Sequence, residues 1–298
     1  MRSIIFVFSI TLIFSCTEQK EALPVLDGVW KRIGTVNFNN GVPSDTVFFE
    51  EGKIPNKDGY IEGFHFKTYS KKHFIWFRNK IELDSIGNDS GPEMFVQGKY
   101  ELKNDSLFEY FESWHDSAEK YMKNRKNMEF KIPVIIDKNR FVQYRINDDG
   151  NGKGELWEKY DEFDVNPTNP LVGVWSPVNS VEVDENGQPL EDVFKLEQIE
   201  NRQIVWIYSD NYRTNSLQTT ILDSLGNDTW EGSSQITEIE IVNDSIIDKF
   251  KYGLSQPIRH WTNRNNIRRT TFKILNDSMF LYGMNPNLKR RNLLKRIE

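Results

Sequence analysis

The residues best placed to do chemistry in this sequence are a carboxylate set among apolar neighbours, a pair of histidines and a solitary cysteine. Glu109 sits in the run Leu107-Phe108-Glu109-Tyr110-Phe111. On a strand alternate side chains share a face, so Leu107, Glu109 and Phe111 point one way and Phe108 and Tyr110 the other. With the leucine face inward, Glu109 is a buried carboxylate and needs a partner, since an unpaired buried charge is costly. Tyr100 and Lys99 are the candidates for that partner. Glu109 then serves either as a polar contact for a ligand or as the centre of a structural hydrogen-bond network. His65 and His73 stand eight positions apart on neighbouring strand-like runs. Two ligands alone do not make a catalytic metal site, so no metal is expected.

The segment Asn147–Glu158, NDDGNGKGELWE, imitates a calcium loop. It places Asn147, Asp149, Asn151, Gly152 and Glu158 at positions 1, 3, 5, 6 and 12 of that pattern. Its flanks, RFVQYRI and ELWEKY, read as strands where an EF-hand requires helices. A glycine-rich hairpin explains every residue. The sequence contains no Gly-x-Ser-x-Gly, no His-Glu-x-x-His, no phosphate-binding glycine loop and no Cys-His arrangement. A non-enzymatic protein without a cofactor is expected.

Cys16 closes the N-terminal stretch MRSIIFVFSITLIFSC, in which Arg2 precedes an apolar run from Ile4 to Phe14. That run is a secretory signal, too short for a spanning helix of about 20 residues. Its end, Leu12-Ile13-Phe14-Ser15-Cys16, resembles the lipobox of bacterial lipoproteins. The resemblance implies cleavage after residue 15, acylation of Cys16 and a membrane anchor, with each buried CH₂ contributing about 0.8 kcal/mol. Thr17 after the cysteine predicts delivery to the outer membrane. Cys16 is the only cysteine, so no intrachain disulfide forms. Loss of residues 1–15 removes one positive charge and takes the formal charge from −6 to −7, which argues against nucleic acid as a partner. The one basic cluster, LKRRNLLKR at 288–296, reads as a strand with an exposed basic face.

The elements that must position these residues come twice. LDSIGNDS at Leu83–Ser90 returns as LDSLGNDT at Leu222–Thr229, 139 residues later. LDGVWKRIG at 26–34 answers to LVGVWSPVN at 171–179, and ELKNDSLFEYF at 101–111 to EIVNDSIIDKF at 240–250. FKTYSKKHFIWF at 66–77 lies over LEQIENRQIVWI at 196–207, which puts Trp76 over Trp206, and EFKI at 129–132 lies over TFKI at 271–274. Two copies of one domain are expected. Alanine occurs only at Ala22 and Ala118, and β-branched and aromatic residues dominate the apolar runs. Period-two patterning and frequent Asn-Asp turns predict seven to nine strands in each copy. A short helix-compatible piece at 117–127 is the exception. Many short strands at close spacing imply a sandwich or closed barrel. The expected plan is a signal peptide over 1–15, a lipidated tether over 16–25, a first domain over 26–161, a linker over 162–170 and a second domain over 171–298.

At these residues the first copy resembles the lipocalin-like domains of Gram-negative lipoproteins. Gly28-Val29-Trp30 fits the Gly-x-Trp of the first strand, and His73, Phe74 and Trp76 fit a His-Phe-x-Trp strand. Gly98, Tyr100, Leu102, Asp105 and Glu109 fit the next motif, and Glu155, Trp157 and Lys159 fit the closing strand. The second copy departs at Thr237, Ile239, Asp248 and Leu294. The resemblance implies an all-β fold of two tandem up-and-down antiparallel barrels, each of a size to hold one small ligand. It also implies that Trp30 and Trp175 close the barrel floors beneath Lys159 and Arg296, through cation–π contacts of about 0.5–2 kcal/mol.

The expected function is therefore a lipid-anchored envelope protein whose first barrel binds a small, mostly apolar molecule. The expected contacts are Glu109, Tyr100, Trp76, Phe74 and His73. The alternative is an interaction protein with filled barrels that meets an envelope partner through its outer surface. An interior packed by Phe66, Phe74, Trp76, Tyr100 and Trp157 would favour that alternative.

Overall fold

The computed structural model describes residues 26–56, 59–80, 93–114, 129–162, 169–183, 189–192, 202–222, 228–253, 267–282 and 290–298. The expected signal and tether, Cys16 among them, the piece at 117–127 and most of the expected linker lie outside them, as do the whole of the first repeated octapeptide and most of the second. All regular structure among the described residues is β-strand.

The first copy contains β1 (Gly28–Asn39), β2 (Val42–Phe48), β3 (Lys53–Asn56), β4 (Gly59–Ser70), β5 (His73–Lys80), β6 (Glu93–Lys103), β7 (Ser106–Trp114), β8 (Glu129–Asp137), β9 (Arg140–Ile146) and β10 (Gly152–Glu162). The strands follow one another as an antiparallel meander from β4 to β10. β1 then hydrogen-bonds to both ends of that meander, to β10 along most of its length and to β4 through Gly28–Lys31, so eight strands close a barrel. β2 and β3 lie outside the closed ring, paired with β1 and β4 respectively.

The second copy contains β11 (Gly173–Val183), β12 (Pro189–Asp192), β13 (Arg202–Tyr208), β14 (Tyr212–Leu222), β15 (Asp228–Val242), β16 (Ser245–Gly253), β17 (Ile267–Leu275), β18 (Ser278–Tyr282) and β19 (Arg290–Arg296). This sheet is barrel-like but not closed, where a second closed barrel was expected: a meander runs from β13 to β19, and β11 meets β13 only at Gly173–Trp175 and β19 at Trp175–Glu182. The basic cluster at 288–296 supplies β19.

Short turns explain why the meander forms. Asn104, Asn243 and Asn276 adopt left-handed φ values of 54°, 57° and 53° in the Asn-Asp turns after β6, β15 and β17. Asparagine tolerates that conformation better than most residues, so each Asn-Asp pair reverses the chain in two residues. Asn147–Asn151 is likewise a hairpin turn between β9 and β10, with the Asp149 carboxylate accepting from the Asn151 backbone N–H at 2.9 Å.

The pairing registers correct two of the repeat alignments. Trp30 faces Lys67 across β1 and β4, and Trp175 faces Trp206 across β11 and β13. Trp206 is therefore the counterpart of Lys67, and Asn215 that of Trp76, through Tyr69↔Phe74 and Tyr208↔Arg213. A single spacing of 139 positions then holds from Lys67 to Glu109, and the bulges before Gly98 and Thr237 fall on it as well. At β8 the register pairs Glu109 with Phe130 and Asp248 with Arg268, so EFKI and TFKI are not equivalent.

Three cores result. One fills the first barrel with Leu26, Trp30, Tyr69, Phe74, Tyr100, Leu107, Phe141 and Trp157. One fills the second sheet around Trp175, Tyr208, Ile246 and Leu294. The third lies between the two sheets, where Phe64, Phe66, Ile75, Phe77 and Phe95 meet Val174, Ile207 and Ile236. Phe66 belongs to this third core and not, as expected from its run, to the barrel interior.

Candidate functional site

Strand alternation places His65, Lys67 and Tyr69 of β4 on one face, opposite the face of Phe64 and Phe66 that meets the second sheet. Inside the barrel these side chains build a buried polar chain. Lys67 Nζ donates to Glu109 Oε1 at 2.7 Å and to Gln143 Oε1 at 2.8 Å. Tyr69 OH donates to the same Glu109 oxygen at 2.7 Å. Gln143 Nε2 donates to Glu155, which pairs with Arg32 at 2.9 Å. Glu109 is 3% exposed, so its charge depends on Lys67 for compensation. Burial pushes the Tyr69 hydroxyl well above its ordinary pKa, and the Glu109 charge adds to the shift, which keeps Tyr69 a donor.

His65 adjoins this chain, with its ring edge-on to Trp76 at 5.2 Å and to Trp157 at 4.7 Å. It is 2% exposed, and neither ring nitrogen has a hydrogen-bond partner among the described residues. Burial drives its pKa well below 6.5, and Arg32, Arg78 and Lys67 push the same way, so the ring is neutral. The Trp157 indole N–H and the Arg32 Nε–H are also buried without partners. A neutral imidazole offers one donor and one acceptor, so the four unmatched atoms supply three donors and one acceptor.

The barrel wall is interrupted beside these groups. β4 pairs with β3 through residues 59–62 and with β1 through 66–69, which leaves Gly63–His65 without a strand neighbour on that side. A pocket of about 330 Å³ occupies the gap, walled by Arg32, Ile33, Phe49, Ile54, Phe64 and His65. Gly63 forms its edge, where an added Cβ would lie 2.3 Å from the Asn79 carbonyl oxygen.

The second sheet carries a counterpart of the interior ion pair with its cation moved. Asp248, at the place of Glu109, is fully buried and lies 3.2 Å from Arg213. Arg213 stands where the first barrel has Phe74, and its guanidinium lies 4.9 Å from the centre of the Trp206 ring, the counterpart of Lys67. Burial lifts the Asp248 carboxyl above its ordinary range, although Arg213 opposes the shift. An interior acid with a cationic partner thus persists despite the sequence departures.

One end of each sheet has the same plug. Trp30 Nε1 donates to the Leu26 carbonyl at 2.6 Å and Trp175 Nε1 to the Leu171 carbonyl at 2.7 Å. Lys159 Nζ lies 4.9 Å over the Trp30 ring and the Arg296 guanidinium 4.2 Å over that of Trp175.

The structure divides the expected ligand contacts among three places. Glu109 and Trp76 lie beside the polar chain. Phe74 and Tyr100 pack in the plugged end, where Tyr100 OH donates to Asp27 at 3.0 Å. His73 leaves the barrel and pairs with Glu298 at 2.7 Å, against the second sheet. The partners of Glu109 are Lys67 and Tyr69, in place of Tyr100 and Lys99. Lys99 is exposed and meets Glu112 at 3.3 Å. Sequence reasoning missed Arg32, His65 as an interior group, Lys67, Tyr69, Gln143 and Glu155. Polar residues at alternate positions of GFHFKTYS were the available signal, masked by phenylalanines on the opposite face.

Among the described residues no cluster of three or more metal-ligating side chains occurs. Neither a protein-family model nor a curated protein matches the chain.

Proposed function

We propose that this chain is a lipid-anchored protein of the bacterial envelope, non-enzymatic, whose lipocalin-like first barrel binds a small, mostly apolar molecule. Leu12–Cys16 supports the anchor and Thr17 the outer membrane. The meander order and the eight-strand closure support the lipocalin-like reading. One observation carries the binding role: buried polar atoms of His65, Trp157 and Arg32 lie unmatched around one region of the barrel. Leaving a buried donor or acceptor unmade costs about 1–3 kcal/mol, and a barrel serving only as a scaffold gains nothing in return. A ligand with polar atoms at that level supplies the missing partners.

A second reading, a filled barrel that acts through its outer surface, is favoured by the plugged end. There Phe74, Tyr100, Phe141 and Trp157 pack together, with Phe141 stacked on Trp157 at 5.8 Å. The two readings separate by native mass spectrometry of residues 17–298, which hold every described strand, purified from the periplasm. An extra mass that leaves on denaturation is the expected result. A bare mass, unchanged after incubation with envelope lipid extract, selects the filled barrel.

A further inference from the structure

We propose that the gap between β1 and β4 is a side portal of the first barrel, and that it holds the polar head of an uncharged, mostly apolar molecule with adjacent hydrogen-bond donor and acceptor groups. The proposal rests on the binding role above and adds to it the place and the class of ligand.

The place follows from the strand pairing. β1 leaves β4 after the Lys31↔Phe66 pair, and β3 takes up β4 only at Glu62. The chain between β2 and β3 crosses the opening, held by the Phe49 N–H on the Ile33 carbonyl at 2.8 Å and the Gly63 N–H on the Gly52 carbonyl at 2.7 Å. These bonds frame the 330 Å³ pocket without filling it. Small-molecule sites run from about 300 to 1,000 Å³, so the volume suits a ligand of modest size.

The class follows from the lining. Phe49, Phe64, Ile33 and Ile54 supply apolar walls. The cations around the opening are already matched: Arg32 with Glu155 at 2.9 Å, Lys53 with Glu50 at 2.5 Å and Lys31 with Glu51 at 3.8 Å. Such balanced charge gives an anion no net attraction and would strip its hydration. His65 lines the pocket with its ring nitrogens covered from solvent, one carrying an N–H to donate and the other a lone pair to fill. The two ring nitrogens point away from each other, so one head meets one of them. A carbonyl accepts from the N–H and an N–H or O–H donates to the lone pair, so a primary amide or a hydroxyketone serves whichever nitrogen faces it.

The test uses residues 17–298 and three probes of one ring system: 2-naphthamide, naphthalene-2-sulfonate and naphthalene. Binding is read as quenching of tryptophan fluorescence, since Trp76 and Trp157 flank His65. The amide is expected to saturate the signal and to bind about tenfold more tightly than either comparator, the effect of one well-made buried hydrogen bond. His65→Phe should lose that advantage while melting at a higher temperature, and Ile33→Trp should fill the opening and abolish binding. Equal affinity for the three probes, or an amide preference that survives His65→Phe, overturns the proposal. If native mass spectrometry finds a co-purified ligand whose occupancy Ile33→Trp leaves unchanged, the portal is wrong and the binding role stands. If the chain carries no ligand and binds no probe, both fall.

Discussion

Lys67 and His65 stand two positions apart on the inward face of one strand and spend their burial differently. Lys67 is matched by Glu109, Gln143 and Tyr69, whereas His65 is matched by nothing among the described residues. Lys67→Met leaves Glu109 with a buried charge and only the Tyr69 hydroxyl to answer it. A loss of about 3–5 kcal/mol is expected, as for other broken buried pairs. Adding Glu109→Gln should recover most of it, and denaturant melts of the two variants decide the point. If Lys67→Met costs no more than an exposed substitution, the pair is not the interior keystone described. His65→Phe should act in the opposite sense and stabilise the protein by about 1–3 kcal/mol, because it removes two unmatched polar atoms. The pH dependence has a definite sign. The folded imidazole has a pKa well below 6.5 and stays neutral, while the unfolded one takes up a proton as the pH falls through 6.5. Stability is therefore fully present above that pH and is lost below it, by about 1.4 kcal/mol for each further unit until the folded pKa is reached. The difference between wild type and His65→Phe, measured at pH 7.5 and pH 5, should widen by that slope. A constant difference would mean that His65 is protonated in the folded state.

At the scale of strands, the two sheets solve one packing problem with the same residue types in exchanged places. The first has Lys67 on β4 and Phe74 on β5, and the second has Trp206 on β13 and Arg213 on β14. At this pair of positions each hairpin therefore gives the interior one cation and one large aromatic ring, in opposite order, while the acid keeps its place at Glu109 or Asp248. The exchange is expected to be coupled. In the first barrel Lys67→Trp or Phe74→Arg alone removes the cation or adds a second one beside it. The double variant should be more stable than the two single costs predict, by about 1–3 kcal/mol in a double-mutant cycle. Simple additivity would mean that either cation position serves Glu109 independently. The exchange also explains what the sequence made legible. The all-β class, the Asn-Asp turns and the two Gly-x-Trp strand starts rest on local signals and survive in the strands described. The alignment that matched Trp76 to Trp206 followed residue identity, which fails where two positions have traded side chains. The interior polar chain stayed hidden for a related reason. β4 buries both faces, one inside the barrel and one against the second sheet, so the polar positions His65 and Lys67 that alternate with Phe64 and Phe66 do not mark a solvent side.

At the scale of the molecule, the buried outer face of β4 makes the two sheets one unit. Phe66 is fully buried in the core between them, 5.0 Å from the Tyr252 ring and 5.4 Å from that of Tyr160. Polar contacts surround that core. Thr68 and Thr214 share a hydrogen bond at 2.8 Å, Gln97 meets Ser216, and Asp161 accepts from the Asn211 side chain at 2.9 Å and from Ser209. The Glu298 carboxylate reaches His73 at 2.7 Å and accepts from Ser70 at 3.1 Å. Contacts between domains of one chain are commonly looser and more polar, and the domains then melt separately. An aromatic core inside a polar rim instead predicts a single thermal transition for the intact chain. Phe66→Asp tests this without touching the interior of the barrel or of the second sheet, because the residue points outward from its own barrel. Loss of the ring and burial of an unmatched carboxylate should remove about 3 kcal/mol or more of coupling. Calorimetry of the variant should resolve two transitions where the wild type shows one. Two transitions in the wild type itself would mean that the sheets fold independently and that the tandem arrangement is a tether.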